Sequence, residues 1–307
     1  MTGPLTIVFW GVRGSLPVCS RNVLHYGGST SCIEIIADNG THLICDGGSG
    51  LYALSNKYMA EGIPKNLAVF ITHPHWDHIQ GLPFFVPAFI PGNKIVFYGC
   101  NQGSLSLRDA LQQQMQTPYF PVKLTNWKAD IAFTPIGETT VEVNGVTVTS
   151  AYAEHPGMTL GYRIEYKGKK VVYLPDNEPF AKFAIDKVCS CSAAAGDEMD
   201  MKEVFLEDQK KNFFGFINDA DLLIHDAQYT PEEYAVKVGW GHSCFEITVK
   251  VAAHGNVRHL ALFHHDPSRT DAAIDEIVRR SQEIAASRGS SLQVSAASEN
   301  VPITITA

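Results

Sequence analysis

The fold is decided by Leu67-Ala68-Val69-Phe70-Ile71-Thr72-His73-Pro74-His75-Trp76-Asp77-His78. Leu67 to Thr72 is a continuous apolar run of strand length, as expected for a strand buried on both faces. His73, His75, Asp77 and His78 then form an H-x-H-x-D-H cluster. Three imidazoles and a carboxylate so close together are hard to explain as packing; the plain alternative is a surface loop rich in histidine. In extended backbone, residues i and i+2 point the same way, so His73 and His75 can reach one ion. Asp77 and His78 lie past a turn and can reach a second ion beside it. Mixed imidazole and carboxylate ligands suit zinc, manganese or iron. A pair of ions about 3.5–4 Å apart is a general device for displacement at phosphorus or carbonyl carbon.

A prior of ~150 residues per domain suggests two domains, but large single sandwiches are common. The 307 residues contain no Pro/Ser-rich linker, charge block or internal repeat. One domain spanning 1–307 is therefore expected. Apolar residues make up 45% of the chain, enough for an ample core. The longest apolar runs fall far short of the ~20 residues that span a bilayer. Met1 to Trp10 lacks the basic start and long apolar stretch of a signal peptide, and Leu5 to Trp10 reads as a first strand. Seven cysteines, an odd number without paired spacing, fit a reducing cytoplasm. Cys189 and Cys191 could clip a metal or be two inert thiols. The net charge of −8 speaks against a large nucleic-acid substrate, whose binders usually present a basic surface. Small phosphorylated ligands stay open, because metal ions can supply local positive charge.

Hairpin signals fill the first half. Asp38-Asn39-Gly40 separates the runs Ser31 to Ile36 and His42 to Cys45. Asn144-Gly145 separates Val141 to Val143 from Val146 to Thr149. Lys167-Gly168-Lys169 lies between Tyr162 to Tyr166 and Lys170 to Leu174. Thr230-Pro231-Glu232-Glu233 and Ser243-Cys244-Phe245-Glu246 read as helix capping boxes. Ile274, Ile277, Val278, Ile284 and Ala285 form an apolar stripe at helical spacing that ends near Gly289. Two sheets with flanking helices fit this order.

The histidine cluster, its strand and the loop after it resemble the metallo-β-lactamase superfamily. The resemblance implies an α/β fold: a four-layer αβ/βα sandwich of two mixed sheets flanked by helices, with metals at the edge between the sheets. Two stretches lie outside the motifs and read as insertions, near 102–138 and near 189–216. The first holds Pro118-Tyr119-Phe120-Pro121 and Trp127. Either insertion could wall a pocket, or simply cover the core or a second copy in a homodimer.

Further ligand candidates follow at strand ends, where rigid scaffolds commonly place site residues. They are His155, Asp176 and His264. The resemblance implies that His73, His75 and His155 hold one ion, that Asp77, His78 and His264 hold the other, and that Asp176 bridges both. Two divalent ions, zinc or manganese with iron as a further choice, would be the cofactors. Asp46 resembles the family's strand-to-glycine turn and reads as a residue that orients a ligand.

Leu223-Ile224-His225-Asp226-Ala227 and Gly239-Trp240-Gly241-His242-Ser243 resemble paired motifs of the phosphodiesterase branch. That branch includes tRNA 3′-processing endonucleases and a cyclic phosphodiesterase of phosphonate metabolism. Expelling an alkoxide needs a proton donor, and histidine suits that task near neutral pH. A helix start disfavours imidazolium at His242, so Asp226 would be needed to keep it protonated. Ordinary loop residues are the alternative. Arg13, Ser15 and Thr30 lie in Gly- and hydroxyl-rich loops that could approach phosphate, although tight turns explain those glycines equally well.

The expected function is dinuclear metal-dependent hydrolysis of a small phosphodiester, a cyclic nucleotide or a dinucleotide. A hydroxide activated at the metals would attack phosphorus, with Asp77, His242 and Asp226 as the catalytic set. A tRNA 3′-processing endoribonuclease is the runner-up; no Gly/Pro-rich insertion suggests an arm to grip tRNA. A thioesterase or lactonase comes third, and a non-catalytic nucleotide sensor is the alternative of a different class.

Overall fold

The computed structural model describes residues 3–64, 66–179 and 201–306. The first sheet contains β1 (Leu5–Gly11), β2 (Cys32–Ala37), β3 (His42–Cys45), β4 (Asn66–Phe70), β5 (Lys94–Gly99), β6 (Asp130–Pro135) and β14 (Ile303–Ile305). Their spatial order is β14-β1-β2-β3-β4-β5-β6. The second contains β7 (Thr139–Val143), β8 (Val146–Tyr152), β9 (Leu160–Tyr166), β10 (Lys169–Leu174), β11 (Leu222–Asp226), β12 (His259–Phe263) and β13 (Gln293–Ala296). These run in the order β13-β12-β11-β10-β9-β8-β7. Each sheet is half parallel and half antiparallel. β3 through β6 are parallel, as are β10 through β13.

Described helices are α1 (Leu51–Glu61), α2 (Trp76–Ile79), α3 (Leu107–Gln113), α4 (Met201–Ile217), α5 (Pro231–Tyr234), α6 (Phe245–His254) and α7 (Asp271–Ser287). The inner faces of the two sheets share one core, where Ile7, Ile35 and Phe70 join Ile164, Tyr173 and Phe263. On the outer face of the first sheet, α1 buries Leu51, Leu54 and Tyr58. Phe245 and Val249 of α6 and Ile277 and Ala285 of α7 cover the second sheet. The result is the expected four-layer sandwich. The apolar run before the histidine cluster is strand β4, with β3 and β5 on either side; the inter-sheet core covers one face and α1 the other, which explains why it does not alternate.

The hairpins form where the turn residues placed them. Asn144 and Gly145 both take positive φ, 48° and 82°, as the tight turn between β7 and β8 requires. Thr230 caps α5 and Glu233 returns the bond, although this helix lasts a single turn. The second capping box does not form. Cys244 is the cap position of α6 and makes no side-chain cap bond. Ser243 is fully buried and donates its hydroxyl to the Asn177 carbonyl at 2.7 Å. A loop-to-loop bond has claimed the group that would have capped the helix.

The region near 102–138 contains α3. It ends in β6, which pairs in parallel with β5 as the edge of the first sheet. The region near 189–216 includes α4 from Met201 onward. Cys189 and Cys191 lie outside the described residues. Among the described residues, no helix is long and apolar enough to cross a membrane.

The sheets are also tied by a polar contact. The buried Tyr162 hydroxyl, on β9, donates to the Ile71 carbonyl at 2.6 Å, just before the ligand cluster begins. Tyr162→Phe removes the donor and leaves the carbonyl unpaired. We expect it to lower unfolding stability by about 1–3 kcal/mol, read by urea denaturation. A change within error would show that the tie contributes nothing.

Candidate metal centre

The site lies where strands of both sheets hand over to loops. Asp46 follows β3, Thr72 and His73 follow β4, His155 follows β8, Asp176 follows β10, and His264 follows β12. Residues up to 187 positions apart in sequence thereby meet: His264 Nε2 lies 3.1 Å from Asp77 Oδ2.

Asp176 organises the geometry. Its Oδ2 lies 3.6 Å from His73 Nε2 and 3.5 Å from His155 Nε2. Its Oδ1 lies 3.1 Å from both His78 Nε2 and His264 Nε2. His75 Nδ1 completes the first group, 2.8 Å from His73 Nε2 and 3.1 Å from His155 Nε2. Asp77 Oδ2 completes the second, 3.4 Å from His78 Nε2. Within each group, His73/His75/His155/Asp176 and Asp77/His78/His264, the donor atoms lie within 4.8 Å of one another. The structure thus brings all seven expected residues together.

Two buried atoms in this cluster, His78 Nε2 and Asp176 Oδ1, have no hydrogen-bond partner. Unpaired buried polar atoms are costly. A divalent cation held by this cluster would satisfy both, and the donor set of imidazoles and carboxylates fits such an ion. Charge states agree. Burial pushes His73, His75 and His155 below the ordinary imidazole range, leaving the neutral, ligating form. Burial also opposes charge on His78, but Asp176, Asp77 and Asp46 outweigh it and hold a proton there. A cation would replace that proton. Asp77 and Asp176 are held well below the usual carboxylate range despite burial, chiefly by His78 and His264.

Outer partners fix the rings. Asp46 Oδ2 accepts from His78 Nδ1 at 2.8 Å and from the Tyr173 hydroxyl at 2.9 Å, while Oδ1 accepts from the Thr72 amide at 2.8 Å. The orienting role read for Asp46 therefore fits its contacts. The Gly241 carbonyl accepts from His155 Nδ1 at 2.8 Å, and Gln228 Oε1 lies 3.0 Å from His264 Nδ1. Such contacts set the tautomer and the ring direction. Gln228, Tyr173, Asn177 and Glu178 carry no motif, so nothing in the sequence alone singles them out. His264 takes φ +59°. A Cβ on Gly14 would sit 2.4 Å from its imidazole, so glycine is needed there. The adjoining His265 is turned away, 3.0 Å from the Ala297 carbonyl.

His242 stands between the two donor groups. Its ring centroid is 5.1 Å from His155 and 4.9 Å from His264. Its Nδ1 is 2.7 Å from Asp226 Oδ2. Burial disfavours the imidazolium, but Asp226, with Asp176 and Asp77 behind it, lifts the His242 pKa to about 9. His242 could also join Asp176 and His264 as a metal donor; the Asp226 pairing, which favours the protonated ring, argues for a proton donor instead.

Two phosphate-loop residues need correction. Arg13 is fully buried and donates to the carbonyls of Gly27, Asp266 and Arg269. Thr30 is fully buried and bonded to Ser49 and Gln80. Both tie loops together and cannot touch a ligand. Ser15 is exposed, and its backbone amide donates to Asp77 Oδ2 at 2.7 Å.

The Beta-lactamase superfamily domain matches residues 41–194. The chain belongs to that superfamily. A Ribonuclease Z of Prochlorococcus marinus is 24% identical over 291 residues, covering 87% of this chain and 90% of its own. The metallo-β-lactamase fold protein YhfI from Bacillus subtilis superposes with a TM-score of 0.69 at 17% identity, over 99% and 100% of the two chains. A diphosphatase of the PhnP family superposes at 0.63 and 17% identity, over 98% of each chain. The ribonuclease relative overturns the expectation against a large nucleic-acid substrate. Net charge sums a whole surface and does not report the local field of a site, least of all one that a cation completes.

Asp46 accepts from a buried imidazole, a buried phenol and a backbone amide at once. We expect Asp46→Ala to cost about 3–5 kcal/mol, the scale for an uncompensated buried charge partner. Urea unfolding of chelator-treated protein checks this, and an unchanged midpoint would refute it.

Proposed function

We propose that this metallo-β-lactamase-fold hydrolase cleaves phosphodiester bonds of nucleotides, using a pair of divalent ions and a histidine proton donor. The Asp226–His242 pair, seated against one histidine of each donor group, carries this reading. His73, His75 and His155 would hold one ion and Asp77, His78 and His264 the other, with Asp176 shared between the two groups. Bound there, the ions supply positive charge for a phosphoryl oxygen and acidify water. The protein's own groups do the rest. Asp226 holds Nδ1 of His242, so the proton to be given away sits on Nε2. His242 is only 12% exposed, which shields that proton from bulk water. It passes to the departing alkoxide oxygen. Ser15 holds Asp77 through its amide and keeps the carboxylate aimed inward.

Zinc and manganese both suit the donors. Two substrate sizes are in play. A small phosphodiester fits a mechanism that needs only one phosphate and one leaving oxygen. An RNA end is favoured by the ribonuclease relative, which aligns over 87% of this chain. Parallel assays with cyclic nucleotides, dinucleotides and precursor tRNA decide between them.

About two divalent ions per chain are expected in protein purified without chelator, by elemental analysis. Asp77→Ala should lose mainly one ion and His73→Ala should weaken the other. Full activity with one ion per chain sinks the two-ion reading.

His242→Ala should lower kcat on a nucleotide ester by roughly 10²–10⁴-fold with metal content unchanged. A p-nitrophenyl phosphodiester, whose leaving group needs little protonation, should suffer far less. Asp226→Asn removes the carboxylate that raises the His242 pKa, so the basic limb of the kcat–pH profile should move to lower pH. Equal losses on both substrates, or a drop in bound metal, would remove His242 as the acid.

A further inference from the structure

The chain has four tryptophans. Trp10 and Trp127 are core residues, each 7% exposed. Trp76 and Trp240 are 76% and 61% exposed, and both sit inside the motifs that build the metal site. Trp76 lies between His75 and Asp77 and opens α2. Trp240 lies two residues before His242 and adjoins Gly241, whose carbonyl holds His155. Single exposed apolar residues are ordinary. Here, however, both solvent-facing indoles of the chain belong to residues that adjoin, in sequence, groups of one polar site.

The loop that carries Trp240 is rigidly built. Glu178 is 2% exposed. Its carboxylate accepts from the amides of Gly239 and Gly241, at 2.7 Å each. These glycines take φ +88° and +87°, a conformation other residues rarely adopt. A buried charge thus grips the backbone on both sides of Trp240 while its ring stays in solvent. Lys237, from the same loop, lies 6.0 Å from the Trp240 ring and 4.3 Å over the ring of Tyr229. Tyr229 in turn packs edge-on against His242 at 5.8 Å. A cation and a flat ring are therefore held together beside the proposed proton donor.

We propose that Trp76 and Trp240 are stacking walls for a nucleobase of the substrate, and that Lys237 faces one of its non-reacting phosphates. The preferred substrate then contains a base-bearing nucleotide unit, and simple alkyl phosphodiesters are poor substitutes. An indole face accepts any base, so the site selects for a base without selecting which one. The inference rests on the phosphodiesterase reading above and names the chemistry of its substrate.

The test reads binding. Full-length, metal-loaded protein is titrated calorimetrically with adenosine 5′-monophosphate, and with ribose 5-phosphate, which lacks the base. Replacing both Trp76→Leu and Trp240→Leu should weaken the nucleotide by roughly 5- to 100-fold and leave ribose 5-phosphate within about twofold. Installing Tyr at both positions keeps flat rings and should restore most of the loss. Lys237→Ala should weaken both ligands. The proposal is overturned if the double Leu variant binds the nucleotide like the parent, if it loses both ligands equally, or if the Tyr pair is as weak as the Leu pair. Tryptophan-dependent nucleotide binding without any phosphodiester turnover would sink the functional reading and leave this inference standing. Turnover of nucleotides with binding indifferent to both tryptophans would do the reverse.

Discussion

Everything at the site hangs on the two oxygens of Asp176. One faces His73 and His155, the other His78 and His264. The carboxylate is 2% exposed, and its Oδ1 has no hydrogen-bond partner. A buried anion among imidazoles is expensive unless its charge is answered. Divalent cations held by these groups would answer it, and the two Asp176 oxygens face different imidazoles. The sandwich supplies the precondition, since β4, β8, β10 and β12 all end at one rim. Parallel strands place their carboxyl ends together, and loops there can converge without disturbing the core.

The site is positioned in layers. The sheets fix where each strand ends. Asp46, Gln228 and the Gly241 carbonyl then fix the rings, each by engaging the nitrogen that faces away from the centre. Asp226 does the same for His242, whose environment differs in kind. Burial drives His73, His75 and His155 toward neutrality, whereas the Asp226 carboxylate favours the protonated form of His242. Neighbouring imidazoles thereby favour opposite charge states, and their partners distinguish them. Glu178 extends this logic to the surface, holding the loop that carries Gly241, and so His155, as well as Trp240.

What the sequence alone determined was local. The apolar run before His73, the turn residues at Asn39-Gly40 and Asn144-Gly145, and the spacing of His73, His75, Asp77 and His78 each express interactions between near neighbours. Such interactions are legible because strand alternation, turn conformations and ligand spacing repeat in every protein that uses them. The later ligand candidates His155, Asp176 and His264, and the pair Asp226 and His242, were legible only in train with that first cluster.

Tertiary structure decided what depends on distant partners. Arg13 in a glycine-rich loop looks like a phosphate contact, but the fold encloses it and three carbonyls take its Nε and Nη1 donors. Ser243 looks like a helix cap, but the Asn177 carbonyl lies within reach and takes its hydroxyl. Glu178 and Gln228 carry no motif at all, because their roles exist only once loops far apart in sequence are brought together. The physical reason is common to all four. A side chain's hydrogen-bonding capacity is written in its chemistry, whereas the partner that claims it is chosen by burial and proximity, which only the packed chain defines.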